Sequence, residues 1–223
     1  MNLSNIRLGV LAGASLLALG LVSNTASATD YKPYVSVFGG ASLLNDFTLS
    51  TRPYSHYTVS SNMGYIVGAT VGAKWDDRFR TEIELSHAVW GAKDFHYQGD
   101  GSSNGTASGN INATYLLANL WLDMPTGGMV TPYVGGGAGI GWANADVTFI
   151  GTGGEGFVNG SGGFAFQVGG GIKIAASENI DIDIGYRLKD LTNVVFTDRD
   201  FPVNFGPVSL VSHNFQVGMT YKF

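Results

Sequence analysis

Cysteine is absent from all 223 residues. That excludes a disulfide framework, a thiolate metal site and a cysteine nucleophile. Charge is scarce: Asp, Glu, Lys and Arg make up 13% of the chain, about half the usual share of a soluble domain. Part of the surface is therefore expected to face something other than water. Beyond the first residues no stretch approaches the ~20 apolar residues of a membrane-spanning helix. A net charge of −5 argues against nucleic acid as a partner. Two architectures remain: a heavily buried soluble β-protein, or a β-barrel in a membrane.

What the chain has in quantity is glycine, 33 residues against 6 prolines. The glycines follow no collagen period. They sit inside alternating apolar segments, where interior glycine marks bends or close backbone approach.

The N-terminus speaks to compartment. Arg7 precedes an uncharged apolar run, LGVLAGASLLALGLV at 8–22, and then Ala26 and Ala28 in an A-x-A arrangement. This is the pattern of a signal peptide cut after Ala28. The run is short for an uncleaved anchor. Residues 1–28 are thus expected to be removed, leaving 29–223 as a single domain.

That domain reads as strand and connection repeated, with candidate strands at 33–44, 64–75, 78–90, 110–123, 131–142, 163–175, 180–189 and 209–223. Helical periodicity is missing from all of them. The connections alternate in length. Short turns fall at 76–77, 124–128 and 176–179, and long polar segments at 45–62, 92–109, 143–162 and 190–208. Segregation of loop length by strand parity is the signature of an outer-membrane barrel, with turns in the periplasm and loops outside. The expectation is an all-β, eight-stranded antiparallel up-and-down transmembrane barrel. Its Gly-, Ser-, Asn- and Asp-rich loops are expected to be mobile and solvated.

Side chains alternate between the two faces of a strand. In the last strand Val211, His213, Phe215, Val217, Met219, Tyr221 and Phe223 share the face that suits lipid. The same alternation places Lys74, Arg80, Glu82, Glu84, Lys173, Asp181, Asp183, Arg187 and Lys189 inside. Gly135, Gly137, Gly139 and Gly141 also face inward and leave them room, since eight strands enclose only enough space for side chains. Strand four, NINATYLLANLWLD at 110–123, supports either facing. The tryptophans flank the strands, Trp75 and Trp121 near short turns and Trp90 and Trp142 near long loops, as two aromatic girdles would. The chain ends QVGMTYKF, in which Gln216, Gly218, Tyr221 and Phe223 match polar-x-Gly-x-x-aromatic-x-aromatic, an insertion signal of outer-membrane barrels.

TPYVGGGAGIGW at 131–142, GGFAFQVGGG at 162–171, IDIDIGYR at 180–187 and the final strand together resemble the outer-membrane β-barrel domain family of small porin-like proteins and surface antigens, common in alphaproteobacteria. The likeness is best over the second half of the chain. It implies an eight-stranded barrel in the outer membrane and no single activity, the family being functionally mixed.

Motifs of chemistry are wanting. The glycine runs fit neither G-x-G-x-x-G nor a Walker loop, and there is no H-E-x-x-H or G-x-S-x-G. His56 and His96 fall in loops, and His87 and His213 on outer faces, so a convergent metal site is not indicated. Ser86-His87 and Ser212-His213 point to opposite faces and cannot form dyads. No catalytic residue, cofactor or metal is therefore expected. Glu82 and Glu84 stand roughly 7 Å apart along one face. A catalytic pair would need a cavity, so a salt-bridged network that plugs the lumen is favoured over one that gates an ion path. The leading expectation is a structural surface protein acting through its loops. A narrow porin and a lipid-modifying enzyme are the rivals. Expected partners are outer-membrane lipids and lipopolysaccharide, the barrel-assembly machinery, and host or surface ligands of the loops.

Overall fold

The structure, a computed structural model, describes residues 31–52, 55–98, 103–150, 156–198 and 203–223. The expected cleavage site at Ala26 and Ala28 lies outside the described residues. The described chain forms antiparallel strands throughout: β1 (Lys32–Leu44), β2 (Phe47–Arg52), β3 (Ser55–Ser61), β4 (Gly64–Lys74), β5 (Phe79–Gln98), β6 (Ser103–Asp123), β7 (Val130–Phe149), β8 (Gly156–Val158), β9 (Gly162–Ala175), β10 (Ile180–Asp198) and β11 (Asn204–Lys222).

Eight of these, β1, β4, β5, β6, β7, β9, β10 and β11, are the strands read from the sequence. Each pairs with the next in chain order. The last then pairs with the first, from Tyr34↔Lys222 to Leu44↔Ser212, and the ring closes. Closure removes the sheet edges of a membrane barrel, which lipid could not satisfy.

The outer wall carries an apolar band. Val37, Val67, Ile83, Leu120, Val134, Val168, Ile184 and Val217 are all about half exposed on it. On β7 the band ends where Trp142 gives way to outward Asn144 and Asp146, and on β6 at Asn112 and Asn110. A band of this kind spans 9–11 tilted residues in outer-membrane strands.

The strands do not stop at that boundary. The 143–162 segment, expected as a solvated loop, is strand as far as Phe149 and again at β8, and β5, β6, β10 and β11 continue likewise. β2 and β3 form a hairpin, and β3 pairs with the extension of β5. On β7 the extension reaches roughly 20 Å beyond the band at the rise of an extended strand. The expectation of mobile loops is thus corrected to a β-structured cap over most of those segments.

The physical reason is an inversion of polarity. Inside the band the wall is apolar and the interior polar; above it the wall is polar and the interior apolar. Along β7 the outward Asn144, Asp146 and Thr148 alternate with inward Ala143, Ala145, Val147 and Phe149, all four buried. Water on the outside and an apolar core within is the pattern of a soluble sheet. Two bulges keep the apolar residues inward. One lies between Gly91 and Asp94 of β5, and the other between Leu191 and Val194 of β10. In the second, Asn193 adopts φ 59°, the left-handed region. The extra residue shifts the alternation, so Val194 and Phe196 follow Leu191 into the core.

At the other end the short turn between β4 and β5 is built on Asp76. Its Oδ1 accepts from the backbone N–H groups of Arg78 (2.6 Å) and Phe79 (2.8 Å). These bonds hold the Asp76 carboxyl below its ordinary 3.8. A carboxylate with a lowered folded value adds stability above the unfolded value and loses it as pH falls through the folded one. Asp76→Ala is expected to lower the urea midpoint of the refolded barrel at neutral pH. The difference from wild type should close below about pH 4. A difference unchanged in strong acid would show that the carboxylate is not its source.

Candidate functional site: a packed lumen

The lumen has two storeys, polar within the membrane band and apolar in the cap. At the base of the polar storey Arg80 of β5 donates from Nε to both oxygens of Asp123 (2.8 and 2.9 Å) and from Nη1 to Glu82 Oε1 (2.9 Å). Tyr34 and Trp121 complete Glu82, donating to its two oxygens at 2.7 and 2.8 Å. Beside them Arg187 of β10 lies 4.2 Å from the centre of the Trp121 ring. It donates to the Tyr133 hydroxyl at 2.8 Å, which donates in turn to Asp183 at 2.8 Å. Planar guanidinium on an indole face combines stacking with cation–π attraction.

Glu84 and Lys189 are bonded at the centre. Lys189 is fully buried; its Nζ donates to Glu84 Oε1. Ser86 (2.7 Å), Asn119 (3.0 Å) and Gln167 (2.7 Å) also donate to the Glu84 carboxylate. Four strands supply these groups, so the pair ties opposite sides of the ring together. A buried charge without such partners would cost several kcal/mol.

Glycine makes the room. A Cβ on Gly137 would stand 2.0 Å from Asn119 Oδ1, and one on Gly169 would stand 2.8 Å from Arg187 Cδ. The absent side chains on β7 and β9 are the space that the long polar ones of β5, β6 and β10 occupy.

Of the sequence-expected charges, Arg80 and Glu82 pair within β5, Glu84 and Lys189 pair across the ring, and Lys173 and Asp181 pair between β9 and β10. Asp183 and Arg187 of β10 meet through Tyr133, whereas Lys74 pairs with none of them. Lys74 lies at the turn-end mouth, its side chain 30% exposed, 3.7 Å from Asp77. Lys173 and Asp181 are close by at 3.4 Å, and Asp181 also takes Lys222 at 2.7 Å. Asp123, Asn119, Tyr34, Tyr133 and Lys222 lie outside the expected set. The alternation could have found Asp123 and Asn119, which share a parity with Trp121.

Two of the four tryptophans are corrected. Trp75 and Trp142 are nearly half exposed at opposite edges of the band, but Trp90 and Trp121 are buried inside. Trp121 serves Glu82 and Arg187 as above; Trp90 donates from Nε1 to Ser42 Oγ at 2.9 Å. Both share the inward parity of Arg80 or Asp123, and a buried indole N–H needs an acceptor, which the polar lumen provides. Strand four, ambiguous in sequence, faces Asn119, Leu117, Tyr115 and Ala113 inward, and Leu116, Leu120 and Leu122 outward. In the last strand Gln216 and Gly218 face inward, while Tyr221 and Phe223 face out with ring centres 5.3 Å apart. On the outer wall His87 bonds Thr114 and His213 bonds Tyr186.

Above the charges the cap is closed by rings. Phe149 stacks on Phe95 (4.4 Å) and Tyr57 (5.2 Å), and Phe157 meets Phe196 edge-on at 5.1 Å. Phe47, Leu49, Val59 and Phe205 fill the rest of this core.

A closed antiparallel ring with an apolar outer band, a polar packed interior and long strands on one side only defines an integral outer-membrane barrel. The chain belongs to the outer membrane protein beta-barrel domain family, whose family model matches residues 14–223. The protein accordingly resides in the outer membrane. Among solved structures it is similar to Neisserial surface protein A, at 19% identity over 86% of this chain and 97% of that one, TM-score 0.51. It is similar also to OprG of Pseudomonas aeruginosa, at 15% identity over 86% and 96%, TM-score 0.55. The outer membrane protease OmpT of Escherichia coli shares the fold at 8% identity over 90% and 99%, TM-score 0.55. No protein of curated function matches the chain.

Proposed function

We propose that this protein is a non-conducting structural barrel that presents its β-structured cap at the cell surface, where recognition takes place, and that it is not an enzyme. The observation that carries this reading is the double obstruction of the lumen. Glu84, Lys189 and their partners fill it at one level, and the Phe149 aromatic stack fills it at another. Glu82 and Glu84, the carboxylates that chemistry would need, each accept three or more hydrogen bonds from the wall. They are positioned as acceptors within the fold rather than towards a substrate. The same reading has residues 1–28 removed on export. It also has the last strand, with Gln216, Gly218, Tyr221 and Phe223, read by the assembly machinery, and the apolar band in contact with lipopolysaccharide.

The test is conductance of the refolded mature protein in a planar bilayer. A silent bilayer containing verified folded barrel is expected. Discrete steps that scale with salt would overturn the reading and make the protein a narrow porin. Their loss in Glu84→Gln would then place the gate at the central pair.

A further inference from the structure

We propose that the turn-end mouth of the barrel binds a compact oxyanion of the phosphate class. The mouth is a cavity of about 320 Å³, and Arg80 is part of its floor. Lys32, Lys74, Lys173 and Lys222 stand around it. The volume is at the small end of ligand sites, which suits a phosphate or diphosphate group and not a bulky ligand.

Two independent observations point to an anion. First, Lys32 and Lys74 lie directly opposite each other across β1 and β4. Like charges in that position destabilise a sheet. Among the described residues Lys32 has no ion pair, and Lys74 pairs only with exposed Asp77 at 3.7 Å. Second, Arg80 is 96% buried yet incompletely used. Nε and Nη1 are held by Asp123 and Glu82, while Nη2 has no hydrogen-bond partner. A buried N–H group without an acceptor costs free energy, and a guanidinium fork matches phosphate oxygens.

The local acids do not cancel this charge. Three acids line the mouth, Asp123, Glu178 and Asp181, against five cations. Asp123 is engaged by Arg80, and Asp181 is divided between Lys222 at 2.7 Å and Lys173 at 3.4 Å. An oxyanion between Lys32 and Lys74 would relieve the cross-strand repulsion, and its charge would also face the Arg80 guanidinium on the lining of the same cavity.

The experiment is calorimetric titration of pyrophosphate into the full-length mature barrel in zwitterionic micelles. Saturable binding is expected, weakening with added salt and by tenfold or more in the double variant K32Q/K74Q. K32R/K74R keeps the charge and should keep binding. Both variants lie at the rim, and retention of the folded band on an unheated gel shows that the barrel is intact. Two supporting outcomes separate the sources of the ligand. Competition by short-chain phosphatidylglycerol assigns the phosphate to a lipid headgroup, and lack of competition assigns it to a soluble phosphate ester. No saturable heat with folded wild type, or equal affinity in K32Q/K74Q, would overturn the proposal.

Discussion

Lys189→Met is expected to lower the unfolding free energy of the refolded barrel by about 3–5 kcal/mol, the cost of leaving one member of a buried ion pair alone. The residue removed is fully buried, and its partner Glu84 would remain a carboxylate held by Ser86, Asn119 and Gln167 but facing no cation. Glu84→Gln alone should be similarly damaging, since it strands the ammonium instead. The double variant Glu84→Gln/Lys189→Met tests the cause. It retains an amide oxygen for Asn119 and Gln167, turns an amide N–H towards the Ser86 hydroxyl, which can accept it, and buries no charge, so most of the loss should be recovered. Urea unfolding in lipid at fixed pH measures all four proteins. Additive losses in the double variant would mean that the two residues act separately and that the pair is not the central tie.

Phe149→Ala is expected to cost about 3–5 kcal/mol, the usual range for deleting a buried phenyl ring, with the loss confined to the cap. Phe149 contacts Phe95, Tyr57 and Phe157 at centroid distances of 4.4, 5.2 and 6.1 Å. Its removal opens a cavity where strands β3, β5, β7 and β8 meet. The membrane storey has its own polar ties and should stay intact. Limited proteolysis reads this directly. Wild type should resist cleavage through the extensions, whereas Phe149→Ala should be trimmed near the edge of the apolar band and leave a protected core of the eight strands. A variant as resistant as wild type would mean that the cap does not depend on its aromatic stack.

Much of the membrane storey could be read from the sequence because lipid imposes a strict alternation. Ile182, Ile184, Tyr186 and Leu188 against Asp181, Asp183, Arg187 and Lys189 leave one register open, and the structure adopts it. Nearness to turns misplaces Trp90 and Trp121, whereas parity sets Trp121 with Asn119 and Asp123. β6 resisted assignment because its inward residues change character along the strand, from Asp123 and Asn119 to Leu117, Ala113 and Ile111. The cap was hidden for a related reason. In ANADVTF at 143–149 the apolar residues are the inward ones, opposite to the rule that holds six residues earlier. A reader expecting one polarity rule for the whole strand sees only a polar connection. The bulges at 91–94 and 191–194 broke the alternation as well, and nothing in the sequence alone signals a shift of face.

The change of polarity at the top of the band also gives membrane insertion a direction. While the strands are crossing, Phe95, Phe149, Phe157 and Phe196 have no core to join. Once across they collapse together in water and leave Asn144, Asp146 and Thr148 on the outside. To slip back, the assembled cap would have to unfold or drag those polar groups through hydrocarbon, at a cost of several kcal/mol for each unsatisfied group. The assembled cap is then a pawl against withdrawal, holding the barrel at the depth where wall and bilayer match.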